Sequence, residues 1–244
     1  MRKKIKQLLC DLRLSGMHQV LDEELNRTER EGLCSQELFY RLLRAEHAHR
    51  QQKSMDYRLN KAKIPFDWTL KSFPFDRQPG VSKARIASLA GLSFIERAEN
   101  IVFIGDPGTG KTGLAIGLLR EALINGYRGR FYNAQDLVDE LYSSLADRST
   151  PKLIKRLCNY SLLVIDEVGY LTLNPEQVNA FFKLMGERYG KASTIITTNL
   201  AYPAWYDLFK RKELVDALLD RLKHRCTTIK IDGPSLRAPS QDQE

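Results

Sequence analysis

The 244-residue sequence lacks any run of apolar residues near the ~18 that a membrane-spanning helix needs. A secretory leader is also missing, because the basic opening MRKKIKQLLCDLRLSGM has its apolar stretch broken by Asp11 and Arg13. These two absences predict a cytoplasmic protein with no membrane partner. Cysteine is sparse and scattered: Cys10, Cys34, Cys158 and Cys226 form no C-x-x-C clip of the kind that prepays the entropy of metal chelation. They read as reduced structural thiols. Repeats and low-complexity tracts are absent. With 43% hydrophobic and 28% charged residues, the chain reads as folded and globular, long enough for one large domain or a medium one plus a small one.

What the chain has in excess is positive charge. The formal net charge is +8, of which residues 1–100 carry +6 and residues 101–244 only +2. A basic half beside a nearly neutral one points to a polyanion held mainly by the first half. Residues 1–63 read as a small all-α domain. Ser35 is placed to cap a helix whose small or apolar positions are Leu38, Leu42, Ala45, Ala48, Met55, Leu59 and Ala62, spaced to form one stripe. Away from it stand Arg41, Arg44, Arg50, Lys53, Arg58, Lys61 and Lys63, opposed only by Glu46 and Asp56. The structural alternative is a solvated face. The excess of one sign favours a face that tracks the phosphates of duplex DNA.

Residues 64–80, IPFDWTLKSFPFDRQPG, hold three prolines and four aromatics without a helical period, so 64–99 reads as an apolar linker packed on the domain that follows. From residue 100 the pattern changes. NIVFIG (100–105), GRFYNA (129–134), SLLVID (161–166), STIITT (193–198) and CTTIKI (226–231) are buried-strand candidates, separated by helical stretches most clearly at 111–125, 175–190 and 212–224. Strands alternating with helices predict an α/β domain over 100–244, three layers deep around a parallel sheet.

Gly105-Asp106-Pro107-Gly108-Thr109-Gly110-Lys111-Thr112 fits G-x-x-x-x-G-K-[ST] between a strand and a helix, the context a P-loop requires. Glycines let successive backbone N–H groups turn inward around phosphate oxygens, and the following helix adds its positive end. Lys111 reaches the β- and γ-phosphates of ATP and the Thr112 hydroxyl ligates Mg²⁺. Leu162-Leu-Val-Ile-Asp166-Glu167 is an apolar strand ending in two acids at the edge where ligands of open α/β sheets sit. Asp166 is placed for the Mg²⁺ shell and Glu167 for polarising an attacking water. Asn199 ends a third apolar strand, where an amide could sense the γ-phosphate. Arg221, in ALLDRL, is either a structural ion pair or an arginine finger that acts on a neighbour's ATP.

Taken together these pieces make the chain resemble the IstB-like family, the ATP-binding helper proteins of bacterial insertion sequences, close to the DnaC helicase loaders within the AAA+ ATPases. The resemblance runs through LRLSGM, EGLCSQELFYRLLRAE, LAGLSFIERAENIVFIGDPGTGKT, LLVIDEVGYL, GERYGKASTIITTNL and ALLDRL. It implies P-loop, Walker B and sensor roles for Lys111, Thr112, Asp166, Glu167 and Asn199, and a trans-acting role for Arg221. It further implies a homo-oligomer on duplex DNA, with ATP sites at subunit interfaces, that delivers a cognate transposase to its target. Gly113 stands where the family usually has His, and Asp106 where it usually has Pro. The chain ends soon after GPSLR, which leaves no room for a C-terminal helical lid and makes Arg237 the sole candidate for a second sensor arginine. Three alternatives stay open: a helicase loader, a nucleotide-gated binding module with negligible turnover, and a small-molecule kinase. The last would need a closing lid with clustered arginines, and no such segment is visible.

Overall fold

The structure, a computed structural model, describes residues 1–237, with Lys223 described by its backbone alone; residues 238–244, the end of the expected 100–244 region, lie outside it. It divides into two compact units, one over Met1–Arg58 and one from Leu59 onward. No helix among the described residues is long and apolar enough to cross a membrane.

The first unit is helical: α1 (Arg2–Asp11), α2 (Ser15–Glu31) and α3, which begins at Ser35 and runs to Lys61. α1 is tied to α2 by Arg2, bonded to Asn26 and Glu29, and by the Lys6–Asp22 ion pair. No side chain of its own caps the start of α2. Instead the Glu46 carboxylate of α3 accepts from the Gly16 and Met17 N–H groups at 2.7 and 3.2 Å, placing an anion on the positive helix end. Gly16 permits the approach, since a Cβ there would lie 2.7 Å from the Ala45 carbonyl oxygen and from the Glu46 Cα. Two details of the expected helix are corrected here. Ser35 is the first helical residue and not the cap, because the Leu38 N–H bonds to the carbonyl of Cys34. Ala48 is exposed, and Glu46, read as part of the solvated face, is buried.

The second unit opens with a 3₁₀ turn at Phe75–Arg77, then α4 (Lys83–Ala90), capped by the Ser82 hydroxyl, and the single-turn α5 (Ser93–Glu96). There follow β1 (Asn100–Gly105), α6 (Lys111–Ile124), β2 (Gly129–Asn133), α7 (Ala134–Ala146), α8 (Thr150–Cys158), β3 (Leu162–Asp166), α9 (Pro175–Arg188), β4 (Ser193–Thr198), α10 (Trp205–Phe209), α11 (Lys212–His224) and β5 (Cys226–Ile231). The sheet is parallel throughout, in the order β2-β3-β4-β1-β5.

Successive residues of a strand point to opposite faces, and both faces are covered. Val102, Ile104, Leu163, Ile165 and Ile196 pack with α7, α8, α9 and α11. Ile101, Phe103, Leu162, Val164 and Ile195 pack with α4, α5 and α6. The three-layer αβα architecture follows from this alternation. α6 is buried from Gly113 through Leu119 and again at Ala122 and Leu123, as expected of a helix that is apolar all round. Arg188 is buried and bonded to backbone carbonyls: its guanidinium donates to those of Leu157 and Tyr160 at 2.7 and 3.0 Å and to that of Ser193. Burial lowers its pKa to about 10, and the bonds pin the end of α8 to the start of β4.

Candidate nucleotide-binding site

The C-terminal ends of β1, β3 and β4 meet at one edge of the sheet, and the loops leaving them line a cleft of about 730 Å³. Its walls include Gly108, Gly110, Lys111, Thr112, Asp166, Glu167 and Asn199. Residues 106–110 join β1 to α6, with Gly108 at φ +85° and Gly110 at φ +94°, where side chains are strained. The Thr109 hydroxyl ties the loop down by donating to the Asp106 carbonyl at 2.8 Å. α6 begins at Lys111, so its unpaired first-turn N–H groups lie at this edge.

The Lys111 ammonium donates to the carbonyls of Gly105 and Asp106, each at 2.7 Å. Burial lowers its pKa, and the nearby Asp166 and Asp106 charges oppose that. The Thr112 hydroxyl donates to both oxygens of Asp166, at 2.9 and 3.1 Å. Burial pushes the Asp166 carboxyl up from its ordinary value, while hydrogen bonds from Thr197 and Thr112 pull it down. A hydroxyl and a carboxylate oxygen this close are hard donors suited to Mg²⁺, and the glycine cradle with its lysine suits a polyphosphate.

Glu167 takes φ +65°, rare for a residue with a side chain, which turns the chain sharply off β3. Its N–H donates to the Thr197 hydroxyl at 2.9 Å, and its carboxylate accepts from the Asn133 amide at 3.1 Å. Asn199 lines the cleft just beyond β4, with its side-chain oxygen buried and without a partner among the described residues. Gly169 leaves room for that amide, since a Cβ there would lie 1.9 Å from the oxygen.

The sequence reading missed two residues that hold these acids. Thr197 bonds Asp166 and Glu167 together. Asn133 stands opposite Asp166 in the β2–β3 register. The available signal was that both are polar residues near the end of an apolar strand at the ligand edge.

Arg221 lies on α11 and does not line this cleft. Its guanidinium sits 5.6 Å over the Tyr189 ring and lines a separate surface cleft of about 500 Å³ with Asn179, Lys183, Gly186 and Glu187. Among the described residues it makes no ion pair, so the structural salt bridge considered above finds no partner among them. Arg237 does line the nucleotide cleft.

The expected DNA-facing cations belong to the other unit, except Lys61 and Lys63. Arg41 pairs with Glu37 at 2.8 Å and Glu24 at 3.7 Å, and Arg50 with Glu46 at 2.7 Å. Arg44 sits 6.0 Å over the Tyr40 ring, Arg58 donates to Ser54, and Lys53 and Lys61 are exposed.

The description "IstB-like ATP binding protein" matches residues 7–244. A protein named for ATP binding in insertion sequence IS21 of Pseudomonas aeruginosa is 35% identical, over 96% of this chain and 88% of its own length. Its counterpart in IS5376 of Geobacillus stearothermophilus is 34% identical over 97% and 94%. Among solved structures, the DnaC helicase loader matches with a TM-score of 0.58 at 26% identity, covering 70% of this chain and all of that one. AMPPCP-bound DnaA from Aquifex aeolicus shares the fold, with a TM-score of 0.57 at 19% identity over 71% of this chain and 53% of that one. Matched by this family over residues 7–244, and 34–35% identical to such relatives along nearly its whole length, the chain belongs to the IstB-like ATP-binding proteins of insertion sequences.

Proposed function

We propose that the protein hydrolyses ATP in a Mg²⁺-dependent reaction and works on duplex DNA as an ATP-dependent homo-oligomer. In that state it regulates transposition, selecting target DNA and recruiting or stimulating its cognate transposase. The observation that carries the reading is the convergence of the Thr112–Asp166 pair with the Glu167 carboxylate, all within one cleft. Mg²⁺ held by Thr112 and Asp166 would neutralise charge on the β- and γ-phosphates. Lys111 exchanges its backbone carbonyl partners for phosphate oxygens. Glu167 orients and deprotonates the attacking water, and the Asn199 amide steadies the γ-phosphate.

Arg221 lines a separate cleft from its own P-loop, which supports the reading of a finger that reaches a neighbouring subunit's ATP across a subunit interface. The likeness to a DnaC loader supports a second reading, delivery of a helicase, which affinity capture with helicase or transposase as bait would decide.

Glu167→Gln tests the first reading. The amide keeps the shape but cannot take the water's proton, so ATP-bound assemblies on duplex DNA should persist in electron micrographs while phosphate release stops. Hydrolysis at the wild-type rate would assign the water to another residue.

A further inference from the structure

The linker and the segment that follows β5 close on the P-loop together. Gln78 is fully buried, and its Nε2 donates to the Thr109 carbonyl at 3.1 Å and to the Pro234 carbonyl at 3.0 Å. One amide therefore bonds the P-loop and the segment Asp232–Arg237 that follows β5. That segment returns a bond of its own, from the Leu236 N–H to the Gly108 carbonyl at 2.8 Å.

Glycines make the fit possible. A Cβ on Gly80 would lie 2.6 Å from the Asp232 carbonyl oxygen, and one on Gly108 would lie 2.1 Å from the Ser235 hydroxyl. A Cβ on Gly233 would lie 1.6 Å from the Gln78 side-chain oxygen. The segment ends with Leu236 and Arg237 on the wall of the nucleotide cleft, in company with Lys111.

We propose that Gln78 is a positioning residue of the nucleotide site: it clips Asp232–Arg237 to the P-loop and so presents Arg237 to the bound polyphosphate. An amide NH₂ has two donors and can serve both carbonyls at once, whereas a hydrocarbon side chain leaves both unpaired and a carboxylate repels them. A guanidinium is permanently charged and matches phosphate geometry with two parallel donors. Holding its backbone in place beforehand removes the ordering cost from the binding step. The inference rests on the reading of the cleft as an ATP site.

A double-mutant cycle on the full chain tests it, with affinity for a fluorescent ATP analogue and Mg²⁺ read by equilibrium titration and folding checked by thermal melts. Gln78→Leu and Arg237→Gln should each weaken binding by about tenfold, the loss of one charge-assisted contact. The double variant should be no weaker than either single one, because an unclipped Arg237 contributes nothing further. An additive loss of about a hundredfold, or wild-type affinity in Gln78→Leu, overturns the proposal. A residue that merely stabilised the fold would lower the melting temperature and leave the two losses independent. If Gln78→Leu does not fold, Gly233→Ala pushes the segment off from the other side and carries the same cycle with the same two outcomes. Wild-type protein that binds the analogue no better than Lys111→Ala would instead overturn the nucleotide reading, and this one with it.

Discussion

The Asn133 side chain holds Glu167 with one end and α7 with the other: its amide donates to the Glu167 carboxylate at 3.1 Å, while its oxygen accepts from the Gln135 N–H at 2.9 Å. That bond holds the Glu167 carboxylate toward β2. Turning Glu167 onto water requires breaking the bond. Asn133→Ser keeps a capping oxygen but loses the reach. Phosphate release without DNA should rise by up to about tenfold, the equivalent of one hydrogen bond to a charged group. A fall instead would mean that the amide aims Glu167 productively.

Arg221 predicts complementation between two dead proteins. Arg221→Ala should fold and bind ATP normally, since the residue does not line its own cleft, yet lose about 10³–10⁵ in DNA-stimulated turnover. Mixing it with Lys111→Ala subunits should restore part of the activity, because some interfaces then join an intact P-loop to an intact arginine. A mixture that co-assembles and stays inactive rules out action in trans.

Binding to duplex DNA should weaken with salt, and each lost phosphate contact should reduce the slope of log affinity against log salt by about 0.9. Arg44, Lys53 and Arg58 are the substitutions to make on the face expected to track phosphates; Arg41 and Arg50 share carboxylates with Glu37, Glu24 and Glu46 and are kept. Changing the three to Gln should flatten the slope by up to roughly three units. An unchanged slope would make these residues solvated surface.

The four cysteines should separate by reactivity at pH 8. Cys10 and Cys34 are exposed, while burial raises the Cys158 thiol and pushes Cys226 up to about 12. Iodoacetamide should label Cys10 and Cys34 in the folded protein and all four in urea. The sign follows for stability as well: unfolding releases the Cys226 proton above the ordinary thiol value of about 8.5, so stability falls as pH rises through it. Native-state labelling of Cys226 as fast as Cys10 would mean that β5 frays.

The five strands and the P-loop were legible in the sequence because each is dictated locally. A strand covered on both faces favours a near-continuous apolar run, as in Ile101–Ile104 and Leu162–Ile165, and a phosphate cradle must be built of glycine. Asn133, Thr197 and Gln78 were not legible, since their partners lie on other strands or beyond β5. Glu46 misled for the same reason. Nothing in α3 marks it as buried, and the cause is the glycine at position 16, which brings the start of α2 within reach of its carboxylate.

The position of β1 in the sheet bears on how the chain is made. β1 is hydrogen-bonded on one side to Ser193–Thr198 and on the other to Cys226–Ile231. A ribosome releases the P-loop early and both of its flanking strands late. During synthesis β1 therefore emerges as an apolar segment with two open edges, the kind of species that chaperones bind and that aggregates at high concentration. Nucleotide affinity should accordingly appear only once β5 has left the exit tunnel. A nascent chain arrested before residue 226 would carry every residue of the P-loop and still lack the strand that completes it.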